Sequence, residues 1–119
     1  MWLFGSRARN EADALSDVDL AVLAAGAPTG SELSRWELEW LGAASETLRT
    51  DEVSLVVLNR VPVVLSHEVL RGARLLFARS PEIAADYELA TIRAYIDFRA
   101  HLDEYDRELL ACAAAGRLR

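Results

Sequence analysis

Two stretches near the N-terminus decide the fold of this chain: LFGSRAR at residues 3–9 and SDVDLAV at residues 16–22. The first is a short apolar run that ends in Gly5-Ser6, and the second is a predicted strand that opens with Asp17 and Asp19. Side chains at positions i and i+2 of a strand point to the same face, so these two carboxylates can hold one hard cation. The Gly-Ser turn offers backbone N–H groups to a phosphate. The pattern therefore predicts a site for a nucleoside triphosphate with its Mg²⁺.

The pattern of Gly-Ser, a spacer and Asp-x-Asp resembles the nucleotidyltransferase signature of the DNA polymerase β superfamily. The short spacing is similar to that of the minimal nucleotidyltransferases. Three further stretches, VSLVVLNR at 53–60, HEVLRGARLLF at 67–77 and YIDFR at 95–99, extend the resemblance to the MntA-type antitoxins over nearly the whole chain. Such antitoxins are paired with HEPN-domain toxins, and they transfer AMP from ATP to a toxin tyrosine, which blocks the toxin's RNase activity.

The resemblance implies a set of site residues and a partner. Asp17 and Asp19 would bind Mg²⁺ as the catalytic and metal-binding pair, and Gly5 and Ser6 would hold the phosphates of ATP. Arg9 would offset phosphate charge. The partners it implies are a HEPN-domain toxin and a nucleoside triphosphate.

A third carboxylate, which the superfamily usually carries on the next core strand, is replaced here by Ser54. A serine hydroxyl is a poor Mg²⁺ ligand beside a carboxylate and cannot act as a base at neutral pH. Glu52 shares the strand face of Ser54 by alternation and could reach the site, or it could be a solvent-exposed charge at the strand entry. Two hypotheses therefore stay open: an active adenylyltransferase, and an impaired enzyme that neutralises its partner by binding alone. Transfer to a small molecule is disfavoured because so short a chain leaves little room for an acceptor pocket.

Composition narrows the functional class. The formal net charge of −6 argues against direct binding to nucleic acid, and the absence of lysine leaves Arg, backbone N–H groups or metal to bind phosphate. The single cysteine, Cys112, cannot form an internal disulfide, which favours a reducing cytoplasm. The apolar runs fall far short of the roughly 20 residues that span a bilayer, so no membrane association is expected.

Periodicity predicts an α/β (α+β) domain of 119 residues, a small mixed sheet flanked by helices, and the resemblance implies that this is a nucleotidyltransferase fold. Strands are predicted at 1–4, 17–23, 53–58 and 74–78, with 53–58 as a buried central strand, and helices at 6–9, 31–48 and 63–71. A long C-terminal helix or helix pair starts at Ser80-Pro81, so we expect a core over 1–79 and a helical extension over 80–119 of the same domain. Its apolar side chains recur in steps of four and three and need another surface to cover them: Tyr87, Thr91, Tyr95, Phe98, Leu102, Tyr105 and Leu109.

The start of the chain differs from the family pattern. Minimal nucleotidyltransferases usually carry a helix before the first strand, whereas this sequence begins at that strand. If that helix is missing, one face of the sheet is left bare, and we expect the bare face to promote self-association into a homo-oligomer.

Overall fold

The computed structural model describes residues 1–9 and 17–114, so the predicted connection at 10–16 and the last five residues lie outside the described part. Within it, the chain runs through four strands and four α-helices, with one short 3₁₀ turn. In chain order the elements are β1 (Trp2–Phe4), α1 (Gly5–Ala8), β2 (Val18–Val22), α2 (Gly30–Leu48), β3 (Val53–Val57), the 3₁₀ turn (Leu58–Arg60), α3 (Val63–Leu70), β4 (Arg74–Leu75) and α4 (Pro81–Ala114).

The four strands form one mixed sheet in the order β3-β2-β1-β4, which confirms the predicted fold class. β2 and β3 are parallel, and β1 is antiparallel to both β2 and β4. The prediction of 53–58 as a central strand is wrong, because β3 lies at the edge of the sheet. Its continuous apolar run is explained by helix packing on the faces of the sheet, since α2 packs against β3.

Helix α2 begins at a reciprocal capping box. The Glu32 N–H donates to the Thr29 hydroxyl at 3.2 Å, and the Thr29 N–H donates to the Glu32 carboxylate at 3.3 Å. Trp36 and Trp40 lie four residues apart on this helix, with ring centroids 6.0 Å apart, and both are half-buried. They pack against each other at the margin of the core, not at its centre.

The core lies between the sheet and the pair α3 and α4. Trp2 is 2% exposed and packs with Ala21, Leu58, Val69 and Ala84. The Trp2 indole N–H donates to a Glu88 carboxylate oxygen of α4 at 2.6 Å, so its polar edge is satisfied. This face of the sheet is therefore closed by helices.

Helix α4 is one continuous helix of 34 residues, which settles the choice between one helix and two. No glycine or proline follows Pro81 within it, so nothing in its sequence breaks it. Its first half packs against α3, where Thr91 is buried and Tyr87 donates to the Ser66 hydroxyl at 3.3 Å. Beyond Tyr95 nearly all of its described side chains are exposed. None of the described helices is long and apolar enough to cross a membrane.

β4 is shorter than the predicted strand at 74–78. Its ladder with β1 ends at Leu75, because the N–H groups of Leu76 and Phe77 both point to the Met1 carbonyl, at 2.8 Å and 3.3 Å. Two donors on one acceptor break the alternation that a ladder needs. The segment after β4 therefore runs along the end of β1 as irregular chain.

Candidate active site

The C-terminal end of β1 and the N-terminal end of β2 lie side by side at one end of the sheet. Phe4 pairs with Asp19 in the antiparallel register, so the Gly5-Ser6 turn that follows Phe4 lies beside Asp19. Gly5 has a φ of +72°, a backbone conformation that glycine adopts at little cost. A Cβ added at Gly5 would overlap the Asp19 carboxylate. Position 5 is thus restricted to glycine twice, by its backbone conformation and by the carboxylate packed against it.

The two aspartates differ in their surroundings. Asp17 is exposed and directly precedes β2, whereas Asp19 lies within the strand and is half-buried. Burial, and then the neighbouring charge of Asp17, raise the pKa of Asp19 above its ordinary value. Two like charges held close together resemble a site that a divalent cation would stabilise.

β3 places two predicted residues next to this pair. Ser54 pairs with Asp19 in the parallel register, so it occupies the position beside the second aspartate, and it is exposed. Glu52 directly precedes β3, and its carbonyl accepts the Val18 N–H at 2.8 Å. Its exposed side chain therefore starts from the same end of the sheet as Asp17.

The described residues contain no group of three or more His, Cys, Asp or Glu side chains arranged to hold a metal ion. The carboxylates at this end of the sheet are therefore the Asp17–Asp19 pair. Glu52 starts from the same end but does not form a group of three ligands with them. Mg²⁺ commonly takes one or two protein carboxylates and completes its shell with water and substrate phosphate. The donor set of hard oxygens on one strand fits that ion, and a role for Glu52 stays a prediction.

The predicted phosphate-binding residues follow β1 on the short helix α1. Ser6 is half-buried in its first turn, and Arg9 is exposed directly after the helix, where its N–H reaches the Gly5 carbonyl at 3.4 Å. The structure thus brings Gly5, Ser6 and Asp19 to the same end of the sheet, with Arg9 one helical turn further along the chain. The sequence analysis did not identify Phe4, whose backbone pairs with Asp19 and so fixes the position of the Gly-Ser turn beside it. Its position directly before Gly5-Ser6 could have indicated this role.

Comparison with known families is decisive for the class of protein. The sequence profile of the polymerase beta nucleotidyltransferases matches residues 1–82. This is well over half of the chain and includes the candidate site residues described above. The chain belongs to this nucleotidyltransferase family. Comparison with curated proteins gives no significant match.

Solved structures of similar fold come from toxin–antitoxin systems. A mutant MntA–HpeT toxin–antitoxin structure is 27% identical, with a TM-score of 0.66, and the match covers 92% of this chain and 82% of that one. The complex of a tri-AMPylated Shewanella oneidensis HEPN toxin with its MNT antitoxin is 25% identical, with a TM-score of 0.61 and coverages of 92% and 80%. A toxin–antitoxin structure with AMP-PNP, at 24% identity, a TM-score of 0.69 and coverages of 92% and 83%, shares the fold. These matches confirm the recognition of this nucleotidyltransferase as MntA-type.

Proposed function

We propose that this nucleotidyltransferase is a Mg²⁺-dependent antitoxin that transfers AMP from ATP to a tyrosine of a HEPN-family RNase toxin. The observation that carries the proposal is the fit between Gly5 and Asp19, because it sets a carboxylate that would hold Mg²⁺ directly against the turn whose backbone would face the phosphates. The AMPylated toxin in the Shewanella oneidensis complex supports the choice of AMP and of a HEPN partner. A reducing cytoplasm, consistent with the single Cys112, is part of the proposal.

In this reaction the phenol oxygen of the toxin tyrosine attacks the α-phosphorus of ATP. The new oxygen–phosphorus bond forms as the bond to the β-phosphate oxygen breaks, so pyrophosphate leaves and the phenol proton passes to water. Asp17 and Asp19 would hold Mg²⁺, which supplies charge neutralisation on the phosphates. The turn at Gly5-Ser6 allows the backbone to come close to the phosphates, and Arg9 offsets their charge.

Ser54 is the residue that we expect to limit the rate of AMP transfer. It stands in the register position beside Asp19, where a carboxylate would help to activate the attacking hydroxyl. A tyrosine hydroxyl has a pKa near 10, so at neutral pH it loses its proton only with help or slowly. This single substitution favours the second candidate function: a nucleotidyltransferase-like protein that neutralises its toxin by binding without AMP transfer.

The test is the intact mass of a HEPN-family toxin from the organism that encodes this chain, after incubation with the chain, Mg²⁺ and ATP. We expect added AMP units, and a loss of rate by more than about 100-fold for Asp17→Ala with Asp19→Ala, since even outer-shell partners of a metal ligand are worth roughly 10–100-fold. Asp97→Ala, an exposed carboxylate of α4 remote in sequence from the site, is the matched control and should keep the wild-type rate.

A further variant separates the two candidate functions. Ser54→Asp restores a carboxylate beside Asp19 and should accelerate AMP transfer if the site is active. An unchanged toxin mass with a stable complex, for both wild type and Ser54→Asp, would overturn the adenylyltransferase proposal and leave binding alone.

A further inference from the structure

Three residues of the candidate site lie in a row across the sheet. Gly5 directly follows β1, Asp19 lies in β2 and Ser54 lies in β3. The backbone of Asp19 pairs with Phe4 on one side and with Ser54 on the other. Asp19 is therefore flanked by the Gly-Ser turn on its β1 side and by the Ser54 hydroxyl on its β3 side.

The Asp19 carboxylate leans toward β1. A Cβ added at Gly5 would overlap the Oδ2 atom of Asp19, so this oxygen lies against the Gly5 backbone. The same turn offers its backbone N–H groups to phosphates. A cation bound to this oxygen would thus lie beside the phosphates of a nucleotide, which commonly complete the shell of Mg²⁺. One cation therefore fits on the β1 side of Asp19, with Asp17 as the second carboxylate on the same strand face.

The β3 side of Asp19 offers no comparable ligand. Ser54 has a neutral hydroxyl, which binds Mg²⁺ more weakly than a carboxylate does. Glu52 is exposed and lies two residues before Ser54, about 6.6 Å away at roughly 3.3 Å per residue of strand. Within residues 1–9 and 17–114, no third ligand side chain joins the aspartate pair to form a metal-binding group.

A second cation would need more negative charge than the aspartate pair provides. In two-metal sites the ions lie about 3.5–4 Å apart, and like charges at that distance repel strongly unless ligands between them offset the repulsion. Two divalent cations would carry twice the charge of Asp17 and Asp19 together. A single divalent cation already neutralises the pair, so charge and geometry favour the same number of ions.

We propose that this site holds a single divalent cation, between the Asp17–Asp19 pair and the nucleotide phosphates, and that no second cation binds beside Ser54. The proposal rests on the proposed function, because it assumes that the pair binds a nucleotide together with its cation. It adds the number of metal ions and the residue that sets this number. The acceptor phenol would then meet a neutral hydroxyl on the β3 side, and no metal ion there would help it to lose its proton.

Manganese binding tests the proposal, because Mn²⁺ accepts the same oxygen ligands as Mg²⁺ and is paramagnetic. The whole chain is titrated with Mn²⁺ in the presence of an ATP analogue that has a methylene group between the α- and β-phosphorus atoms, so that no AMP is transferred. We expect about one Mn²⁺ per bound nucleotide, with the electron paramagnetic resonance spectrum of an isolated ion. About two Mn²⁺ per nucleotide, with the spectrum of a spin-coupled pair, would overturn the proposal.

Two variants of Ser54 test the cause. Ser54→Asp adds a carboxylate on the β3 side and should tighten the binding of a second Mn²⁺ at least about 10-fold, the lower end of what even outer-shell partners of a metal contribute. Ser54→Asn is the matched control, because it has nearly the same size without the charge, and it should still bind a single ion. Ser54 is exposed, so both variants should fold, which circular dichroism checks. A Ser54→Asp variant that binds no second ion would overturn the argument that Ser54 sets the number.

The same titration separates this proposal from the proposed function. Asp17→Asn with Asp19→Asn should abolish the nucleotide-dependent Mn²⁺ signal. A wild type that binds neither the analogue nor Mn²⁺ would overturn the proposed function and this proposal together. A wild type that binds a spin-coupled pair, reduced to one ion by Glu52→Gln, would overturn only the single-ion proposal and identify Glu52 as the missing ligand.

Discussion

Replacement of Gly5 by alanine tests the geometry on which the candidate site depends. The backbone at Gly5 has a φ of +72°, and an L-residue in that region costs about 1–2 kcal/mol. The added Cβ would also overlap the Asp19 carboxylate, which must leave its rotamer at a cost of about 0.5–1.5 kcal/mol. We therefore expect Gly5→Ala to lower the free energy of unfolding by about 1.5–3.5 kcal/mol, the sum of the two costs.

Gly26 provides the matched control for this substitution. It has a φ of +79°, nearly the same backbone conformation, but a Cβ added there meets nothing within 4 Å. Gly26→Ala should therefore cost only the backbone part, about 1–2 kcal/mol. The difference between the two variants measures the overlap with Asp19 alone.

Urea unfolding of both variants, each with and without Asp19→Ala, completes the comparison. Truncation of Asp19 removes the overlapping carboxylate, so Gly5→Ala should then cost no more than Gly26→Ala. In the wild-type background Gly5→Ala should also lose Mg²⁺-dependent AMP transfer, since the displaced carboxylate no longer stands beside Asp17. Equal costs at positions 5 and 26 in both backgrounds would refute the argument that Asp19 is packed against the Gly5 backbone.

Three further predictions concern single side chains. Burial and a neighbouring carboxylate raise the pKa of Asp19, so the folded state holds its proton more tightly and stability is lost as pH rises through that pKa. Asp19→Asn should therefore have a higher Tm than the wild type at neutral pH without metal, and this advantage should vanish below the ordinary pKa of 3.8. Trp2→Phe removes the indole donor to Glu88 and should cost about 2–3 kcal/mol in urea unfolding, whereas Glu88→Gln, which keeps an acceptor, should cost less. Arg60→Ala breaks a surface ion pair with Glu37 and should change the unfolding free energy by less than about 1 kcal/mol, a loss that salt should also produce in the wild type.

The parts of the structure that sequence predicted correctly are those set by local chemistry. The Gly-Ser turn and the Asp-x-Asp strand have fixed spacings, and the capping box at Thr29 and Glu32 satisfies its own backbone groups. The order of the strands is set by tertiary packing, and an apolar run such as 53–57 looks the same whether a strand or a helix covers it. This is why the sequence predicts a central strand at 53–58, whereas β3 lies at the edge of the sheet.

The candidate site divides along the same line. Periodicity alone could put Asp17 and Asp19 on one side of a strand, and register then places Ser54 beside Asp19. The overlap between a Cβ added at position 5 and Asp19 depends on how β1 pairs with β2. The spacing of residues in the sequence therefore could not predict it.

The position of β1 has a consequence for the order in which the chain folds. β1 is made before the other described strands but lies inside the sheet, between β2 and β4, and it pairs with β4 across more than seventy residues, as Trp2 with Leu75. The bond from the Trp2 indole to Glu88 spans 86 residues. Such distant pairings close late, because the entropy of a long loop is lost before any contact compensates for it. The strand that carries the phosphate-binding turn is thus made before both of its neighbours and gains its second one late, so a nascent chain stopped before residue 75 would hold β1, β2 and β3 but not a complete β4.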